Sequence, residues 1–216
     1  MNVARIGAFR AGLPVHVPAM TVNRFCSSGL QAIEIAAQEI MTGMVDCAIA
    51  GGVESMSTIP MGGLKPAPHP ELMATWPETY MPMGLTAEEV VSRYKLTREE
   101  QDRFAMESHQ KAAKARAEGL FKEEIIPIDA YLFEPDGKGG VHKKEFVFDE
   151  DECIRPETTI EGLAKLRPVF KVGGSVTAGN SSPINDGAAA VVVMSKEMAQ
   201  ERGLEILGLV REYSVV

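Results

Sequence analysis

The sequence has no apolar run approaching the length of a membrane span, which excludes a bilayer-crossing helix. Cysteine is scarce: Cys26, Cys47 and Cys153 are an odd number without metal-type spacing, which leaves neither a disulfide framework nor a zinc site. The histidines, His16, His69, His109 and His142, are spread over a helix-to-strand link, a proline loop, a polar helix and a turn, so no metal is expected. Basic residues number 22 against 30 acidic ones, a formal charge of −8, which argues against a nucleic-acid binder. The glycine-rich run from Lys171 to Asn180 follows no strand with G-x-G-x-x-G and contains no Walker lysine, so dinucleotide binding and nucleotide hydrolysis are excluded. No repeat, low-complexity tract or targeting peptide is visible, and three cysteines without a disulfide framework fit a reducing cytosol.

What is present describes an α/β chain. Its 216 residues suffice for one sizeable core or two smaller ones, and 45% apolar with 24% charged residues is ordinary for a globular protein. Met20, Val22 and Arg24 alternate with Thr21, Asn23 and Phe25, as in a half-buried strand. Ser28 and Gln31 have capping-box spacing, and Leu30, Ile33, Ala37, Ile40, Met41 and Met44 recur on one helical face. A buried strand is expected over 45–52, completing a strand–helix–strand unit. Between 58 and 82, Pro60, Pro66, Pro68, Pro70, Pro77 and Pro82 exclude long helices. Helices are expected over 86–94 and 97–118, the second opened by a Thr97/Glu100 capping box and stopped by Gly119. Short strands are expected at 125–128 and 145–148, with a turn at Asp136-Gly137-Lys138-Gly139-Gly140, and later strands at 188–194 and 206–213.

Cys26 stands where the extended run meets the first long helix. A thiol there faces unpaired backbone N–H groups and the positive end of the helix dipole, both of which favour thiolate. Such turns lie where open α/β sheets place their chemistry. Two readings stand: a nucleophile, or a small buried hydrophobe of the kind free cysteine often is. Cys47 in an apolar strand and Cys153 in acidic surroundings read as inert.

The string Asn23-Arg24-Phe25-Cys26-Ser27-Ser28-Gly29-Leu30-Gln31-Ala32-Ile33 resembles the nucleophile segment of thiolases. Gly51-Gly52-Val53-Glu54-Ser55-Met56-Ser57, Met83-Gly84-Leu85-Thr86-Ala87-Glu88, Arg98-Glu99-Glu100-Gln101-Asp102, Ile154-Arg155-Pro156, Leu163-Ala164-Lys165-Leu166-Arg167-Pro168, Thr177-Ala178-Gly179-Asn180-Ser181-Ser182 and Asn185-Asp186-Gly187-Ala188-Ala189-Ala190 resemble further thiolase segments in the family's order. Met81-Pro82-Met83-Gly84 looks most like the degradative 3-ketoacyl-CoA thiolase branch.

The resemblance implies a thiolase-like α/β fold comprising part of the first core domain and its inserted loop domain. The expected division is residues 1–58 as partial core, 59–174 as the CoA-binding insert, 175–203 as a return to the core and 204–216 as the first strand of a second core domain. It implies Cys26 as the nucleophile that carries the acyl group, its N–H donating to the oxyanion. Carried over by segment, Met83 would line the thioester channel, Arg155 would reach the nucleotide end of coenzyme A, and Ala178 and Ser182 would contact its pantetheine arm. Arg155, Lys165, Arg167 and Lys171 could gather locally for the anionic ligand; alternatively, Arg155 pairs with the acidic stretch Asp149-Glu150-Asp151-Glu152. No cofactor is implied beyond coenzyme A as substrate. Acyl-CoA substrates, self-association as a dimer or dimer of dimers, and a separate chain carrying a C-terminal half are the implied partners. The family's Gly-His-Pro base and Cys-x-Gly second cysteine are absent here, so the chain is expected to read as a central piece with little turnover. A non-catalytic CoA-binding or assembly module is the competing reading.

Overall fold

A computed structural model describes residues 2–137 and 139–215; Met1, Lys138 of the expected turn, and Val216 lie outside the described residues. The chain divides into two compact units, Met1–Lys65 with Ile184–Val216, and Pro66–Pro183. The division falls at 65/66 and 183/184, where the sequence suggests 58/59 and 174/175.

The first unit holds α1 (Val3–Arg10), α2 (Ser28–Met41) and β1 (Cys47–Ser55), with β2 (Asp186–Met194) and α3 (Lys196–Glu201) arriving from the far end of the sequence. β1 and β2 pair antiparallel over their full length, Cys47 opposite Met194 and Ser55 opposite Asp186. The expected strand–helix–strand unit is not formed, because residues 18–25 have no ladder partner among the described residues. The segment and the link before it are instead tied to the start of α1: Asn2 Nδ2 donates to Ala19 O at 2.7 Å, Ala4 N to the Thr21 hydroxyl at 3.1 Å, and the Arg5 guanidinium to the carbonyls of Val15 and Val17. β1 and β2 are mostly exposed rather than buried, Ala50 excepted, since a two-stranded ribbon leaves much of both faces open. Residues 206–213 form no strand; Tyr213 Oη donates to Gln31 Oε1 at 3.2 Å, and the segment 209–213 forms a groove of about 510 Å³ with Leu30, Ile33 and Glu34 of α2.

Asp186 ties the start of β2 to the turn after β1, accepting from Ser57 N at 2.8 Å and from the Ser57 hydroxyl. The hydroxyl bond first, and then the backbone bond, hold its carboxyl below the usual aspartate range. A lowered folded-state value means that the clasp is complete above the ordinary carboxylate range and is lost as pH falls through the lower folded value. The Ser57 amide resonance is therefore expected to titrate with a midpoint below that of an unstructured aspartate, and to stop titrating in Asp186→Asn. A midpoint at or above the ordinary value would contradict the clasp.

The second unit begins with α4 (Pro70–Thr75) and a 3₁₀ turn (Pro77–Tyr80), short as the prolines dictate. α5 (Met83–Tyr94) starts three residues before the expected Thr86, because Pro82 O accepts from Leu85 N and Thr86 N and so serves as the helix entry. α6 (Arg98–Ala117) carries the full capping box, Thr97 Oγ1 accepting from Glu100 N and Glu100 accepting from Thr97 N, and ends before Gly119 at φ +74°. A hairpin follows, β3 (Ile128–Pro135) and β4 (Val141–Phe148), closed by Asp136 N to Gly140 O at 3.0 Å and Gly140 N to Asp136 Oδ1 at 2.8 Å. The strand expected at 125–128 begins only at its last residue. Ile125 N is consumed by Phe121 O, and Pro127 has no N–H to offer a ladder. α7 (Ile160–Ala164) completes the unit.

Candidate active site

Cys26 is exposed, two residues ahead of α2, so the buried-hydrophobe reading is not what the structure shows. The turn that presents it is tightly fastened. Asn23 Oδ1 accepts from Phe25 N at 2.9 Å, and Ser28 Oγ accepts from Arg24 N at 2.8 Å while donating to Phe25 O at 2.7 Å. Ser27 N and Ser28 N close on the carbonyls of Arg24 and Phe25. Ser28 thus does not form the expected capping box with Gln31; its hydroxyl is spent on the turn, and Ser27 becomes the N-cap. Within this clasp Phe25 sits at φ +47°, a left-handed conformation that costs a bulky residue about 1–3 kcal/mol and survives only where the surroundings over-determine it. The N–H groups of Gly29 and Leu30 in the first turn of α2 have no acceptor among the described residues.

The other residues singled out in the sequence lie in the second unit. Met83 is the exposed first residue of α5. The exposed Arg155 donates its backbone N–H to His109 Nδ1 at 3.2 Å, and its side chain forms no ion pair among the described residues. The acidic stretch is answered by Arg116 instead, which approaches Glu150 Oε2 at 3.8 Å. The alternative pairing of Arg155 is therefore not formed. Lys165, Arg167 and Lys171 are likewise exposed, with no described carboxylate in ion-pair reach.

Ala178 and Ser182 are exposed on a loop whose backbone is held from beneath. Glu88 of α5, 4% exposed, accepts from Ser175 N at 2.9 Å and Val176 N at 2.8 Å. Asp102 of α6, 2% exposed, accepts from Arg98 Nε at 2.7 Å and Asn180 Nδ2 at 2.9 Å, and Asn180 Oδ1 accepts from Thr177 N at 2.7 Å. These bonds attach residues 175–182 to the second unit rather than to the first. A Cβ on Gly174 would strike the Glu88 carboxyl, which would have to shift to admit it. Sequence reasoning matches the segments containing Glu88, Asp102 and Asn180 to a family but gives these residues no role. Nothing in the local sequence marks them, since Asp102 stands among Glu99, Glu100 and Arg103, and Glu88 beside Glu89. Cys47 is exposed at the start of β1 and Cys153 is half-buried. No cluster of metal-ligand type exists among the described residues, and no helix there is long and apolar enough to cross a membrane.

The architecture is that of a mixed α/β protein presenting a thiol at a helix entrance. The family model "Thiolase, N-terminal domain" matches residues 1–197. Similar curated proteins include a 3-ketoacyl-CoA thiolase of Bacillus subtilis, 53% identical over 100% of this chain and 55% of the relative. Others are the peroxisomal 3-ketoacyl-CoA thiolase A of Mus musculus, 47% identical over 99% and 50%, and the peroxisomal 3-ketoacyl-CoA thiolase 1 of Arabidopsis thaliana, 46% identical over 98% and 47%. The chain belongs to the thiolase family, and it spans about half the length of the curated relatives it matches.

Proposed function

We propose that the chain serves the thiolytic cleavage of 3-ketoacyl-CoA, with Cys26 as the nucleophile. The observation that carries this reading is the exposed thiol on a strained, hydrogen-bonded turn, inside a family match that covers most of the chain. The Cys26 thiolate adds to the ketone carbon, and the bond between the second and third carbons of the substrate breaks. The departing enolate takes a proton to become acetyl-CoA, leaving the shortened acyl group as a thioester on Cys26. Free CoA then attacks that thioester and carries the acyl group away, restoring the thiol. Stabilising the oxyanion requires fixed N–H donors, a role proposed for the N–H of Cys26.

Coenzyme A is a substrate in this scheme, with no permanently bound cofactor. Its contacts are proposed at Met83 for the thioester channel, Arg155 for the nucleotide end, and Ala178 and Ser182 for the pantetheine arm. The unpaired guanidinium of Arg155 and the small exposed residues of the 177–182 loop support this assignment. The unladdered segment 18–23 supports self-association by strand pairing, which sedimentation velocity would detect. The scarcity and odd number of cysteines support a reducing compartment such as the cytosol; the mouse and Arabidopsis relatives are named peroxisomal.

Calorimetric titration with CoA tests the reading. The chain is expected to bind CoA, and Arg155→Ala to weaken that binding about tenfold by removing a charge-assisted contact. Thiolysis of acetoacetyl-CoA is expected to be slow, since neither a Gly-His-Pro nor a Cys-x-Gly segment occurs in the 216 residues. Absence of CoA binding would sink the proposal. CoA binding without any acyl transfer to Cys26 would favour a CoA-binding module.

A further inference from the structure

We infer that Asp102 is a positioning residue for the CoA contact, acting through Asn180. This rests on the proposed role of Ala178 and Ser182. Asp102 lies on α6 at 2% exposure and cannot itself reach a ligand in solvent. Its two oxygens face different donors: Oδ2 takes Arg98 Nε at 2.7 Å, and Oδ1 takes Asn180 Nδ2 at 2.9 Å. Arg98 is fixed in turn, because its terminal nitrogen donates to the carbonyls of Leu163 at 2.6 Å and Leu166 at 3.0 Å. Asn180 passes the constraint on, its amide oxygen accepting from Thr177 N at 2.7 Å and its amide nitrogen also reaching Ser175 O at 3.2 Å.

The loop closes on itself above this anchor. Gly179 N donates to Thr177 Oγ1 at 3.2 Å, and Ser181 Oγ donates to Thr177 O at 2.6 Å, with Thr177 wholly buried. The residues that point inward are therefore Thr177 and Asn180, and the residues left exposed are Ala178 and Ser182. The orientation of the Asn180 amide is dictated by Asp102, which when ionised can only accept from it. A carboxylate at 102 and an amide at 180 are thus a matched pair, and reversing the pair restores the link between them while removing the donor to Ser175 O.

The test is CoA titrated into the chain and its variants, with melting temperatures recorded in parallel. Asp102→Asn places a second amide donor against Arg98 or Asn180, and Asn180→Ala removes the link; each is expected to raise the Kd for CoA about tenfold, the effect of one orphaned buried partner. In the exchange variant D102N/N180D, the amide at position 102 accepts from Arg98 and donates to the carboxylate at position 180, which accepts from Thr177 N. It should recover up to about half of the lost affinity on a logarithmic scale, since the carboxylate at position 180 no longer donates to Ser175 O. Phe148→Ala, in the hairpin, should lower the melting temperature and leave the Kd within about twofold.

Asp102→Asn or Asn180→Ala binding CoA as tightly as the parent would overturn the inference, and partial recovery in the exchange variant upholds it. If Asp102→Asn does not fold, Asn180→Ala decides. A parent that takes up no CoA removes the function reading instead. Amide exchange then decides the positioning itself: at least about tenfold faster exchange at Thr177 and Gly179 in Asp102→Asn, with the hairpin amides unchanged, upholds it, and unchanged exchange overturns it.

Discussion

One acetyl group on Cys26 is the expected product when the chain is incubated with excess acetyl-CoA, and Cys26→Ala is expected to abolish it. The reaction exchanges one thioester for another: the Cys26 sulfur bonds to the acetyl carbon, and CoA leaves as its thiolate. Since reactant and product are both thioesters, the equilibrium is nearly balanced and the yield follows the excess of acetyl-CoA over free CoA. What distinguishes Cys26 is its setting. The turn at Phe25 is held at φ +47° by the hydrogen bonds of its clasp, which fixes the backbone that carries Cys26 at the first turn of α2. Cys47 is also exposed, and so serves as an internal control for simple accessibility. Peptide mapping should place the adduct on Cys26 and leave Cys47 unmodified. Equal labelling at both sites would reduce the result to chemical acylation of accessible thiols. No adduct, with CoA binding intact, would move the reading to a CoA-binding module.

The features legible in the sequence are those encoded within one turn of chain. The Thr97/Glu100 capping box, the stop at Gly119 and the 136–140 turn each depend on residues within a few positions of one another, and each is formed around the described residues. The failures mostly involve partners far away in sequence. Residues 18–25 have the alternation of a strand, but alternation cannot supply a neighbour, and the N-cap and first turn of α1 bond to Ala19 O and the Thr21 hydroxyl instead. Residues 206–213 fail as a strand for the same reason. Ser28 has the right spacing for a cap, yet its hydroxyl finds two closer partners in the turn carrying Cys26. Cys26 is located by its place at a helix entrance; the strain at Phe25 is invisible, because phenylalanine is among the last residues one would place at positive φ. Glu88 and Asp102 are hidden for a related reason: the donors that bury Glu88, and the Asn180 amide that bonds Asp102 beside its helical neighbour Arg98, lie about 78 to 88 positions away.

Glu88→Ala is expected to be the most destabilising single change in the second unit, at about 3 kcal/mol, while Glu88→Gln costs about 1 kcal/mol. Both hydrogen bonds to the loop, from Ser175 N and Val176 N, end on the same oxygen, Oε1. Alanine removes that acceptor and leaves two backbone donors without a partner in an enclosed space, with Val176 itself 5% exposed and unable to turn to water. Glutamine keeps an oxygen at the same reach, so the two bonds survive and only the second oxygen is altered. The difference between the variants therefore measures the two donors rather than the side chain's bulk. Gly174 adds a constraint from the other side, since its missing Cβ makes room for the Glu88 carboxyl, and Gly174→Ala should push that carboxyl off both donors. Denaturant unfolding of the three variants, followed by the exchange of the Ser175 and Val176 amides, is the measurement. Equal stability of Glu88→Ala and Glu88→Gln would mean that water replaces the carboxyl at both donors, and that the loop bearing Ala178 and Ser182 is held by Asp102 and Asn180 alone.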